Sequence, residues 1–381
     1  MAISRAAHRT AVLSTSAFLL AAAVTGCARF DDSASSPFTP VPTFSAGELQ
    51  PRPPSGPPSS TPDPSQPTRE AAPCVDPDPA VVATCLGTTG GITMLPGGQS
   101  ALVTERRTGR ILRIDPGTPT QEVARLDVDG SGDGGLLDVA LSPTYAEDTL
   151  LYAYVTTPVD NRVVRIAPGD TPKDVLTGIP RGAVGNRGAL VFTAPGELTV
   201  LTGDAGNPVA ATDPASLAGK VLRVTALTPA AAQPMPQVAL SGIGTAGDVC
   251  LDPRGGVWVT DRTVLEDRLQ RVTADGGTGT PVWTWPDRPG VAGCTAVDGG
   301  VAVSMGDGKA LAVIPLDAHT GAAQAAPALI AKDRYGRLGG AAAGAQGEVW
   351  VTTVNTSGGE PTPTDDRVVR IPAPQGGGGF D

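Results

Sequence analysis

From about residue 100 onward, short apolar runs with aliphatic or aromatic residues at alternate positions are separated by polar turns rich in glycine, proline and aspartate. SALVTERRTGRILRI, at Ser100–Ile114, is one such pair of runs about a turn, and TLLYAYVTTPVDNRVVRI, at Thr149–Ile166, repeats it. Period-two alternation sends neighbouring side chains to opposite faces of a pleated strand, so each unit predicts an antiparallel pair. The arrangement returns as GELTVLTGD before GKVLRV, GGVWVTDR before DRLQRV, GGVAVSMGD before GKALAV, and GEVWVTTVN before DRVVRI. The second runs begin at Gly109, Asn161, Gly219, Asp267, Gly308 and Asp366, at separations of 52, 58, 48, 41 and 58 residues.

Such spacing leaves room for about four short strands in each unit. A small sheet of that size cannot bury its own apolar faces. Radial stacking of six buries them and leaves only short edges. The expected fold is an all-β six-bladed β-propeller over residues 72–375, with an Ig-like sandwich as the alternative. VWV, LYAYV and RVVRI favour strands over helices, and the 49 glycines and 38 prolines supply the reversals. Closure of the ring is expected to pair a strand near Ile92–Leu95 with the last blade, which contains Glu348–Ile371.

The N-terminal segment departs from this pattern. Arg5, His8 and Arg9 precede the apolar Ala11–Val24, and VTGC ends at Cys27. This is the form of a secretory signal over residues 1–26, and its apolar run is short for a permanent span. Small residues ahead of Cys27 resemble a bacterial lipoprotein box, which implies cleavage before that cysteine and lipid attachment to it. An ordinary signal peptide is the alternative. Each acyl CH₂ buried in a bilayer contributes roughly 0.8 kcal/mol, so several palmitate-like chains would anchor the protein to the cell membrane. Residues 27–71 form a Pro/Ser/Thr-rich spacer containing PRPPSGPPSSTPDPSQP, which lacks the apolar surface for a core. Residues 376–381 are a Gly-rich tail. The location implied is extracytoplasmic.

In that compartment the remaining cysteines, Cys74, Cys85, Cys250 and Cys294, can form two disulfides. Three pairings are possible, and the sequence order suggests Cys74–Cys85 and Cys250–Cys294, the latter joining neighbouring blades. The formal charge is −10, aromatic residues make up 4%, and the basic residues are scattered, which excludes a stacking platform in a basic groove and hence a nucleic-acid partner. Loss of Arg5 and Arg9 with the signal would take the charge from −10 to −12, so anchoring would fall to the lipid on Cys27 rather than to attraction for an anionic surface. With only His8 and His319 in the chain, a serine triad or a His-rich zinc site cannot be assembled.

In a propeller, loops from several blades converge at the mouth of the central channel. Candidate polar groups there are Glu105, Arg106 and Arg107 after LVT, Arg187 in GNRG, Asp204 in LTGD, Asp261 and Arg262 after VWVT, and Asp307 in SMGD. An arginine fork suits a carboxylated cofactor or sugar acid, and a nearby carboxylate could orient hydroxyls or accept a proton. The alternative is that these residues cap turns. In DVDGSGDGGLLD, Asp127, Asp129, Asp133 and Asp138 stand at positions 1, 3, 7 and 12, with Gly132 at position 6, a spacing reminiscent of a Ca²⁺ loop.

ITMLPGGQSALVTERRTGRILRI, GGLLDVALSPTYAEDTLLYAYVT, RGALVFTAPGELTVLTGDAG and SLAGKVLRV, within Gly91–Pro372, resemble the ordered landmarks of the soluble quinoprotein glucose dehydrogenase and sorbosone dehydrogenase family. The N-terminal arrangement is similar to that of a mycobacterial lipoprotein. The resemblance implies a six-bladed propeller holding pyrroloquinoline quinone (PQQ), often with Ca²⁺, above its channel and oxidising sugar hydroxyl or aldehyde groups. It further implies that Asp204 and Lys220 keep the Gly-Asp and Gly-Lys landmarks and, with Arg187, belong to the cofactor site. Where the family shows a histidine base, this chain reads Gly185-Asn186-Arg187-Gly188, and Gly244 and Thr245 occupy the region of an arginine-asparagine element. His319, in LDAHTGAAQ, is in a turn-like segment and is no substitute. The expectation is therefore a cell-envelope lipoprotein whose propeller binds a ligand, a sugar or an envelope protein. The alternative is a PQQ-dependent sugar oxidoreductase with an altered site.

Overall fold

The computed structural model describes residues 74–229, 234–272 and 281–373. The proposed signal, Cys27, the spacer and the Gly-rich tail lie outside the described residues. Among the described residues no helix is long and apolar enough to cross a membrane.

Six four-stranded antiparallel sheets are present. After a short strand β1 (Val81–Ala83), the first blade contains β2 (Thr89–Met94), β3 (Ala101–Glu105), β4 (Arg110–Ile114) and β5 (Gln121–Arg125). The second contains β6 (Leu136–Leu141), β7 (Leu151–Thr156), β8 (Asn161–Ile166) and β9 (Lys173–Ile179), with a single turn of helix, α1 (Tyr145–Asp148), between its first two strands. The third contains β10 (Gly188–Ala194), β11 (Glu197–Thr202), β12 (Lys220–Val224) and β13 (Gln237–Ser241), with α2 (Pro208–Thr212) between β11 and β12. In the fourth are β14 (Ala246–Leu251), β15 (Val257–Arg262), β16 (Asp267–Val272) and β17 (Trp283–Trp285). The fifth has β18 (Val291–Val297), β19 (Gly300–Met305), β20 (Ala310–Pro315) and β21 (Ala328–Ile330). The last has β22 (Leu338–Ala343), β23 (Glu348–Thr353) and β24 (Val368–Pro372), completed by β1. The hairpins read from the sequence are the second and third strands of the blades.

Alternation along each strand explains the packing. In β3, Ala101 and Val103 face the last blade while Leu102 faces the second; in β23, Val349 and Val351 face the fifth blade while Trp350 faces the first. Six apolar clusters result, one at each blade interface. No sheet could retain these side chains in water alone, so ring closure and blade formation stabilise each other.

The closing strand differs from expectation. Val81 and Ala83 pair with Val369 and Val368, so β1 is the outer strand of the last blade, whereas Ile92 lies in the innermost strand of the first. A strand at Ile92 could not close the sheet, because it already pairs Val103 on one side and its other edge faces the channel. Both suggested disulfides are present. Cys74–Cys85 joins the segments on either side of β1, and Cys250–Cys294 joins the innermost strands of the fourth and fifth blades.

Candidate functional site

The innermost strands, β2, β6, β10, β14, β18 and β22, surround a central cavity of about 380 Å³. Glycines at 90, 91, 188, 247, 293, 339 and 340 line much of it. At Gly91 the reason is contact: a Cβ there would sit 1.8 Å from the Asp138 carboxylate.

Three arginines from different blades stand on the cavity wall: Arg187 just before β10, Arg262 at the end of β15, and Arg337 just before β22. Arg262 donates from Nε to Val291 O and from Nη2 to Gly290 O, each at 2.5 Å. Arg337 pairs with Asp307, and its Nε is buried without a partner. The Arg187 guanidinium makes no hydrogen bond or ion pair with any described residue. Burial draws Arg187 down to about 10, with Arg106 and Arg337 adding like-charge repulsion against the opposing Asp133. Arg262 is also drawn down to about 10, first by burial and then by Arg187. Both remain cationic at neutral pH. Unneutralised guanidinium charge in a recess is complementary to an anion, and a planar carboxylate can engage two donors at once. This donor set fits a flat, carboxylate-bearing quinone.

The loop carrying Arg187 is held by Asp133, which accepts from Gly185 N at 2.7 Å, Asn186 Nδ2 at 2.7 Å and Asn186 N at 3.3 Å. Gly185 adopts φ +75, and a Cβ there would lie 2.4 Å from Asp204 Oδ1 and 2.6 Å from Gly206 N. No larger side chain can occupy this position without moving the loop.

Two carboxyls stand deeper. Asp138 in β6 and Asp248 in β14 are each the third residue of an innermost strand, about 7 to 10 Å along the wall at roughly 3.3 Å per residue. Asp138 Oδ2 accepts Leu190 N at 2.7 Å and Asp248 Oδ2 accepts Cys294 N at 2.8 Å, so each ties its strand to that of the next blade. Burial and mutual repulsion push Asp138 well above the usual carboxylate range; burial pushes Asp248 up to about 7, against the N–H groups of Cys294 and Val249. They are the only carboxyls on the cavity wall among the described residues.

Below about pH 4 both native and unfolded chains hold these protons; above it the unfolded carboxyls ionise first, so their contribution to stability is lost as pH rises towards 7. Asp248 is partly exposed on the cavity wall, which screens its charge, and a loss of roughly 2 to 4 kcal/mol is expected from it. Urea unfolding at pH 4.5 and pH 8 should show Asp248→Asn gaining that amount on the wild type between the two pH values. A pH-independent difference between the proteins contradicts this assignment.

The other sequence candidates are placed elsewhere. Lys220 is fully buried, and its Nζ donates to Ala210 O at 3.0 Å, Ala211 O at 2.7 Å and Ala218 O at 2.8 Å, away from the cavity. Asp204 is buried beneath Gly185 and accepts Gly206 N; burial raises its pKa, but it has no face on the cavity. Glu105 is buried against Arg110, Thr108 and Gly87 N, which outweigh burial and hold its carboxyl below the usual range. Arg106 donates to Gly132 O and Gly134 O, Asp261 accepts from Gly244 N and Arg268, and Arg107 is exposed. Gly244 O and Thr245 N bond to Asp204 N and Arg262 O. His319 is exposed in the turn organised by Asp317.

The four aspartates of the acidic loop do not share a site. Asp127 is exposed, Asp129 caps Ser131 N and pairs with Arg181, Asp133 holds the Arg187 loop, and Asp138 faces the channel. Among the described residues no three His, Cys, Asp or Glu side chains are grouped to hold a metal ion, so these side chains do not fit a Ca²⁺ site. The spacing matched, but the loop runs into strand β6 instead of wrapping back on itself. Arg337 was missed by sequence reasoning; its signal is an arginine immediately before an innermost strand, as at Arg187.

The glucose/sorbosone dehydrogenase family profile matches residues 87–247. The PQQ-bound aldose sugar dehydrogenase from Streptomyces coelicolor is similar at 30% identity and a TM-score of 0.68, over 77% of this chain and 96% of that one. A putative oxidoreductase (glucose dehydrogenase) from Thermus thermophilus shares 27% identity at a TM-score of 0.68, over 76% and 98% of the two chains. The apo-form soluble aldose sugar dehydrogenase from Escherichia coli, at 19% identity and a TM-score of 0.65 over 77% and 99%, shares the fold. A search of curated proteins found no match.

Proposed function

Because this chain belongs to the glucose/sorbosone dehydrogenase family, we propose that it is a PQQ-dependent oxidoreductase acting on sugar hydroxyl or aldehyde groups through an altered site. The observation that carries the reading is the arginine triad on the cavity wall, in which the Arg187 guanidinium has no hydrogen-bond partner among the described residues. Arg187, Arg262 and Arg337 would hold the cofactor's carboxylates. When bound, the quinone supplies the acceptor for the two electrons and the hydrogen removed from the sugar carbon.

The chain's own task is to orient the sugar and take the hydroxyl proton. Among the described residues no imidazole stands at the cavity. The Asp138 and Asp248 carboxyls are the acceptors within the channel, and the elevated pKa of Asp248, about 7, suits a base at neutral pH. Channel water relays the proton between the mouth and these deeper groups. We further propose that the protein is anchored outside the cytoplasm by lipid on Cys27.

The test is PQQ titration by calorimetry followed by dye-linked oxidation of aldoses and sorbosone. One cofactor site with sugar-dependent dye reduction is expected, and absence of PQQ binding rejects the reading. The crowding at Gly185 favours a second reading, a sugar- or carboxylate-binding module without turnover. Tight PQQ binding with no sugar-dependent reduction would select it.

A further inference from the structure

Nine large hydrophobic side chains are strongly exposed among the described residues, and six of them, Val75, Val159, Val184, Val209, Val264 and Leu265, lie in connections on the cavity-mouth face. The other three are elsewhere: Val123 and Leu329 on the outer strands β5 and β21, and Met235 in the connection at the opposite end of the third blade. Isolated exposed aliphatics are ordinary and need no explanation. Six of the nine share one face, an uneven distribution.

Two of these loops share one construction. In Thr157–Asp160 the threonine N–H donates to Asp160 O, and its hydroxyl accepts from Val159 N; in Thr263–Glu266 the same bonds join Thr263 to Glu266 O and Leu265 N. Each turn pushes its third residue outward, leaving Val159 75% and Leu265 81% exposed. Arg181 ties the adjacent loop to Pro158 O at 2.8 Å.

The chain also enters the propeller on this face. Cys74 is bonded to Cys85, Cys85 N donates to Thr364 O, and Asp76 accepts from Thr364 and Arg367. Those partners belong to the connection between β23 and β24, which supplies Val354 and Ser357 to the cavity wall. Cys74, the first described residue, therefore lies beside the mouth.

We propose that this face rests on the surface of a lipid bilayer, with Val159, Val184, Val209, Val264 and Leu265 inserted at the headgroup boundary and the cavity opening towards the membrane. The proposal rests on the lipid anchorage at Cys27. It does not depend on the dehydrogenase reading. Anchorage holds the protein near the membrane, and the aliphatic tips select the orientation, since interfacial insertion strengthens with buried apolar area. Asp160 and Glu266 beside the tips, and the net charge of −12 that remains from −10 once Arg5 and Arg9 are lost with the signal, match a zwitterionic surface better than an anionic one.

The test uses the full chain isolated with its processed N-terminus and placed on phosphatidylcholine vesicles with or without brominated acyl chains. Val159→Trp, Leu265→Trp and, as a control on an outer strand, Val123→Trp add reporters at exposed sites. Emission from positions 159 and 265 is expected to fall at least about twofold on brominated vesicles, with position 123 unchanged. No quenching at either tip, or equal quenching at position 123, overturns the proposal. Flotation of wild type and Cys27→Ser with the vesicles separates the two premises: flotation that requires Cys27 without tip quenching rejects the orientation alone, and a wild type that neither floats nor is quenched rejects both.

Discussion

Arg187→Ala is expected to weaken PQQ binding by about 30- to 5,000-fold, corresponding to the roughly 2 to 5 kcal/mol lost when one partner of a buried charge pair is truncated. The size follows from its surroundings. Arg262 and Arg337 already spend donors on Gly290 O, Val291 O and Asp307, whereas Arg187 has its whole fork available. The unliganded protein should be no less stable, because repulsion by Arg106 and Arg337 offsets the attraction of Asp133 and the guanidinium makes no hydrogen bond with a described residue. Arg187→Lys should recover only part of the affinity, since a point charge cannot reproduce two parallel donors. Calorimetric titration and thermal unfolding of the three proteins check both halves. An affinity within threefold of wild type in Arg187→Ala removes this arginine from the cofactor site.

The blades were legible in the sequence because their physics is local. Each second and third strand carries its alternating pattern, as in SALVTERRTGRILRI, and burial of both faces follows from that alternation. Closure was not legible. Strand β1 contains only VVA, too short for periodicity, and its pairing with β24 spans almost the whole ring. The mouth was read in part. Arg187 and Arg262 stood out as polar residues beside strands, but whether such a residue faces the channel or caps a turn depends on loop geometry that residue type does not encode. Glu105 and Asp261 are turn caps, while Arg187 is free. Arg337 precedes LGGAAA, whose glycines conceal the strand signal. Asp138 was read as a loop ligand, although its strand carries it into the channel beside Asp248.

Lys220→Met tests the other side of this distinction, between a landmark kept for chemistry and one kept for folding. The ammonium stands in a cage of three carbonyls, two from α2, which it fastens to the start of β12. Burial lowers its pKa, with Asp213 opposing, and its three donors match the three acceptors. Methionine preserves the length of the side chain; Ala210 O keeps Asp213 N and Ala211 O keeps Gly242 N as donors, whereas buried Ala218 O loses the ammonium that bonds it. An unsatisfied buried acceptor costs about 1 to 3 kcal/mol, so a destabilisation of about 1 to 3 kcal/mol is expected in urea unfolding. The folded fraction should bind PQQ within about twofold of wild type, because Lys220 has no surface on the cavity. Stability near wild type together with lost PQQ binding would move Lys220 from the scaffold into the cofactor site, and would require α2 to open when the ligand enters.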